Sequence, residues 1–92
     1  MSFRIMDITS ASDIKVKASQ AIVMVPSNEY VYVEKDEVGF LEGKFHDHQR
    51  GIYMQGGIIN PGWGGKLTIE LLIFGEVEIK KGQPLAHAII VK

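Results

Sequence analysis

The chain has 92 residues, no cysteine and a formal net charge of -1. At this length one domain over residues 1–92 is expected, because two cores would each be too small to cover their own apolar surface. Lys+Arg 10 against Asp+Glu 11 leave no basic field to hold a phosphate backbone over many nucleotides, which disfavours general nucleic-acid binding, and no nucleic-acid partner is expected. The missing thiols exclude disulfides, thiolate metal sites and cysteine nucleophiles. No apolar run nears the ~20 residues of a membrane-spanning helix, and the N-terminus lacks a continuous apolar leader core. A soluble, cytoplasmic protein with no membrane partner is the expectation.

From Asp13 the pattern alternates, with Ile14, Val16 and Ala18 on one side and Lys15 and Lys17 on the other, which predicts a half-buried strand. Ala21–Val25 is a short β-branched run stopped by Pro26-Ser27-Asn28 and predicts a second strand. Tyr30–Val33 predicts a third. Glu34-Lys35-Asp36-Glu37 reads as a solvated loop before the apolar Val38–Leu41. The most polar piece, Glu42 to Gly51, also reads as a loop.

The stretch from Gly56 to Leu72 holds the only tryptophan and a lone carboxylate, Glu70, in an apolar run. Its Pro61-Gly62 pair predicts a hairpin turn, because proline presets the first turn position and glycine supplies the dihedrals of the second. Ile52-Tyr53-Met54 leads into this hairpin and Leu67–Phe74 forms its return strand. Val77 and Ile79 alternate with charged residues in a further half-exposed strand. Gly82-Gln83-Pro84 turns the chain into a last strand, Leu85–Val91, with Leu85, His87, Ile89 and Val91 assigned to one face. No stretch carries a helical apolar period, and many brief strands between turn signals predict an all-β sandwich or barrel.

Three blocks resemble the superfamily of trimeric deoxyuridine triphosphatases (dUTPases) and deoxycytidine triphosphate (dCTP) deaminases. They are Val25-Pro26-Ser27 with Glu29–Val33 and Gly39–Lys44; Ile59-Asn60-Pro61-Gly62-Trp63-Gly64-Gly65-Lys66-Leu67-Thr68-Ile69-Glu70; and Gly82–Ala88. The middle block is the most specific and is similar to the deaminase branch. The resemblance implies a distorted β-barrel or jelly roll of the dUTPase-like type that forms a homotrimer. Nucleotide sites then lie at subunit junctions, and the hairpin grips a pyrimidine deoxynucleotide.

In that scheme Glu70 is the deaminase general acid and base, and Asn60 falls where the hydrolase has a water-activating aspartate. Ile59 and Trp63 fall on nucleotide-binding positions, Lys44 falls where a phosphate-binding arginine is expected and can meet a phosphate as a point charge, and Arg50 supplies charge to the nucleotide from a shifted position. No cofactor is fixed by the resemblance, although Mg2+ would accompany a bound nucleotide. The family pattern is broken in places. An amide at Asn60 has no basic lone pair to take a proton. Gly43-Lys44-Phe45-His46 replaces a Gly-Arg-Ser-Ser loop, Ile73 replaces an asparagine and His87 a glutamine. The resemblance also leads to the expectation of a shortened chain, without the hydrolases' glycine-rich arm.

Simpler roles exist for the same residues. Glu70 can face solvent beside Thr68 and Lys66, and Trp63 can pack rather than stack on a base. His46 and His48 are weak metal candidates: alternate strand residues share a face, but two imidazoles fall short of the three or four ligands a site needs unless a trimer axis multiplies them. His87 reads as a hydrogen-bonded core or interface histidine. The sequence therefore leads to a catalytically impaired nucleotide-binding trimer, with a minimal active dCTP deaminase or dUTPase and a purely structural trimeric module as alternatives.

Overall fold

The computed structural model describes residues 2–44 and 51–92. The elements in chain order are β1 (Phe3–Thr9), β2 (Ile14–Tyr32), β3 (Val38–Gly43), β4 (Ile52–Met54), β5 (Gly57–Ile59), β6 (Gly64–Ile79) and β7 (Pro84–Val91). They form a four-stranded sheet ordered β1-β7-β3-β5 and a three-stranded sheet ordered β2-β6-β4. Every strand pairing is antiparallel.

The inner faces of the two sheets meet in one core. Ile8, Ala86, Ala88, Ile90 and Ile59 enter it from the four-stranded sheet, and Val25, Val31, Ile52, Ile69, Leu71 and Ile73 from the three-stranded one. Period-two alternation produces this division along β6, where Ile69, Leu71 and Ile73 are buried while Thr68 and Glu70 are exposed.

The three strands expected between Asp13 and Val33 are one continuous strand. β2 runs through Pro26 and shifts register twice, between Ala18 and Ala21 and between Pro26 and Tyr30. Among the described strands its sheet partner is β6, with one isolated bridge from Ser27 to Ser10, so β2 lies at a sheet edge, where a proline without an N–H is tolerated. The second irregularity is used for cross-linking. Ser27 Oγ accepts the Leu67 N–H at 3.0 Å, Asn28 Nδ2 donates to Ser10 O at 2.8 Å, and Glu29 accepts from Thr9 N and Thr9 Oγ1, each at 2.6 Å. Likewise, Leu67–Phe74 and Val77–Ile79, expected as separate strands, are one strand, β6.

The last strand carries a further correction. His87, Ile89 and Val91 do share a face, but it is the outward one, and Ala86, Ala88 and Ile90 form the core side. Leu85 is buried, unlike the residues with which it was grouped. The outward face of the four-stranded sheet is itself apolar: Ile5, Ile89, Phe40 and Ile58 line up across all four strands. Alternation there separates two apolar faces, so it does not mark which is inside.

Candidate functional site

The Asn60–Trp63 turn forms as its sequence requires. Trp63 N donates to Asn60 O at 3.1 Å, and Gly62 has φ of 83°, the geometry of a type II turn with proline and glycine at its centre. Two hydrogen bonds fix the turn against the end of β2: Gly62 N to Val33 O at 2.7 Å and Val33 N to Trp63 O at 2.9 Å.

The arms of this turn do not pair with each other, which corrects the simple hairpin. β5 pairs with β3 in the four-stranded sheet, whereas β6 pairs with β2 and β4 in the other. The paired arms are Ile52–Met54 and Leu71–Ile73, and the turn between them is a corner from one sheet to the other. The physical reason is the close approach of β5 to Gly39, which draws Ile59 into the core away from β6.

The candidate residues separate accordingly. Ile59 is only 5% exposed, so its side chain is a core group, and what it offers a ligand is the main chain of an edge strand. Trp63 is half-buried and packs against the core, its ring over Gly65. Asn60 is exposed at the corner. Glu70 points outward from the three-stranded sheet, opposite Met24, and lines a hollow of about 120 Å³ with Ile22, Tyr53, Gln55 and Leu72. It makes no hydrogen bond or ion pair among the described residues. A larger open hollow of about 280 Å³, lined by Asp13, Ile14, Lys15, Glu78 and Lys80, holds opposite charges that satisfy each other, as in the Lys80–Glu78 ion pair.

Lys44 stands just past the end of β3, at the other sheet. Its Nζ lies 2.8 Å from Asp7 Oδ1, and its main-chain N donates to Leu85 O at 3.0 Å. His87 Nδ1 lies 3.5 Å from the same Asp7 oxygen and has no hydrogen-bond partner among the described residues. Hydrogen bonding from Lys44 holds the Asp7 carboxyl below the usual carboxylate range, with the charges of Lys44 and His87 acting in the same direction. The sequence pattern did not single out Asp7. The register that brings Asp7, His87 and Glu42 into one row across β1, β7 and β3 is its only signal.

Arg50, His46 and His48 lie outside the described residues. Among the described residues no group of three or more His, Asp or Glu side chains is arranged to hold a metal ion. No helix among them is long and apolar enough to cross a membrane.

Solved structures that match this fold include phage dUTPases. The dUTPase of Staphylococcus bacteriophage 80alpha, as a variant with dUpNHpp, superposes with a TM-score of 0.76 at 17% identity, covering 98% of this chain and 89% of that one. A variant dUTPase from phage phi11 of S. aureus, described for its coordination of a structural Mg(II) ion, gives a TM-score of 0.77 at 16% identity, covering 99% and 90%. No curated protein matches the chain in sequence. The fold is therefore the all-β dUTPase-like fold. The dUTPase family model matches residues 2–92, and the chain belongs to the dUTPase family.

Proposed function

We propose that the chain is a single dUTPase-like domain that assembles as a homotrimer in the cytoplasm and binds pyrimidine deoxynucleotides at subunit junctions, with hydrolysis and deamination impaired. The observation that carries this reading is the placement of Lys44 just past the end of β3 in one sheet and of Glu70 on the outward side of the other. One protomer thus holds two half-sites, and a neighbouring copy is needed to join a phosphate-binding half to a base-binding half. Asn60 supports the impairment, since an amide at the corner has no lone pair basic enough to activate water. So does the ion pair that engages Lys44. Any Mg2+ would arrive with the nucleotide phosphates rather than on a protein site.

A second reading, an active dCTP deaminase or dUTPase, is favoured by one observation. The Glu70 carboxylate is open to a hollow with an aromatic ring and an amide beside it, where a general acid and base could act.

Incubation with dUTP and dCTP in magnesium, followed for pyrophosphate and ammonia, separates the two readings. The proposal expects no more than trace turnover, calorimetric binding of at least one of these nucleotides, and a trimer by light scattering. Robust turnover abolished by Glu70→Gln establishes the enzyme instead. A trimer without nucleotide binding leaves a structural module.

A further inference from the structure

We propose that Asp7 is an internal competitor for phosphate, occupying the place between Lys44 and His87 that an oxygen of a bound pyrophosphate-type anion would take. The inference rests on the reading of Lys44 as a phosphate-binding residue and adds His87 and Asp7 to that subsite. Two nitrogens, one from the residue that follows β3 and one from β7, converge on a single carboxylate oxygen: Lys44 Nζ at 2.8 Å and His87 Nδ1 at 3.5 Å.

That arrangement suits an anion better than it suits Asp7. His87 Nδ1 is shielded from solvent and left without a hydrogen bond, although a short movement of an acceptor toward it would make one. Asp7 is itself 57% exposed at its side chain, so its carboxylate can swing into solvent at little cost, whereas Lys44 is only 26% exposed. A phosphoryl group entering from solvent would displace one carboxylate and gain both the Lys44 ammonium and the His87 ring nitrogen as partners. Glu42, beside His87 on β3, adds a second negative charge to the same row and raises the threshold for anion entry.

The test is calorimetric titration of the full chain with inorganic pyrophosphate, and in parallel with dUTP, with and without magnesium. Pyrophosphate should bind Asp7→Asn about fivefold more tightly than the parent at low salt, the size of a unit charge removed from ~4 Å in a solvated site. The gain should shrink as salt is added and vanish in the Asp7→Asn, Lys44→Met double variant. Unchanged or weaker pyrophosphate binding by Asp7→Asn overturns the proposal. So does the absence of binding in every variant, or a loss confined to magnesium-containing buffer, which would make Asp7 a metal-bridging group. If dUTP binds but pyrophosphate affinity ignores Asp7, the competition fails and the nucleotide reading stands. If Asp7→Asn gains pyrophosphate but dUTP binds no better than pyrophosphate, the competition stands and the nucleotide reading falls.

Discussion

Gly39 faces Ile59 across the β3–β5 pair so closely that a β-carbon on Gly39 would sit 2.9 Å from Ile59 Cβ and 3.3 Å from Val33 Cγ2. Both neighbours are core groups, and neither is the free end of a long side chain. Gly39→Ala must therefore push β5 outward and disturb the corner turn that follows it. Overpacking of this kind typically costs roughly 1–3 kcal/mol. Urea unfolding should show that loss, and the fluorescence of Trp63, the single tryptophan, should shift in the folded state because its turn hangs from β5. Unchanged fluorescence with unchanged stability would mean that the strands part without consequence.

Ser27 is 2% exposed, and its hydroxyl accepts the main-chain N–H of Leu67 where β2 departs from regular pairing. Ser27→Ala removes the acceptor and leaves that N–H enclosed without a partner. The expected loss is about 1–3 kcal/mol, the cost of an unsatisfied enclosed donor rather than of an average hydrogen bond. Denaturant melts should show a lower midpoint at constant slope, and amide exchange at Leu67 should quicken more than at Ile69. Equal exchange at both sites would argue against a role for the hydroxyl.

The β character and the turns were legible because they are local. Runs such as Ile22–Val25 and Leu71–Ile73 are β-branched or apolar, and the Pro61-Gly62 pair meets the dihedral demands of its turn. Partner choice was not legible, because it depends on distant approaches such as Gly39 to Ile59. β1 carries apolar residues toward both sides, with Ile5 outward and Ile8 inward, so alternation did not reveal it. The same property of the four-stranded sheet inverted the face of His87. Glu70 was legible as a lone carboxylate in an apolar run. The pairing of Lys44 with Asp7 was not, because β1 and the end of β3 are brought near each other only by the pairing of both with β7.

Glu37 makes stability fall in acid. Its Oε1 accepts the Glu34 N–H and an Arg4 guanidinium N–H, each at 2.9 Å, and these bonds, that of Glu34 foremost, hold its carboxyl below the ordinary glutamate value. A folded-state pKa below the unfolded one means that the unfolded chain binds the proton first. The contribution is therefore complete above about pH 4.3 and is lost as pH falls through the lower folded value. Melting temperature followed from pH 6 to 3 should decline at the acid end, and Glu37→Gln should flatten part of that decline while lowering stability at pH 6. An identical acid slope in the variant would remove Glu37 from the account.

Glu70→Gln separates chemistry from architecture. The carboxylate is exposed and unpartnered among the described residues, so exchanging it for a neutral isostere should alter stability by no more than about 0.5 kcal/mol. The neighbouring side chains Ile22, Leu72 and Tyr53 keep the hollow's shape whichever group stands there. A change in nucleotide affinity at unchanged melting temperature then reports a contact between ligand and carboxylate. The direction carries further information: an anionic carboxylate that receives an amino group from a cytosine ring should favour dCTP over dUTP, so the variant should lose dCTP affinity preferentially. Equal loss for both nucleotides would place the contact away from the exocyclic group, and a fall in melting temperature would show that Glu70 supports the sheet.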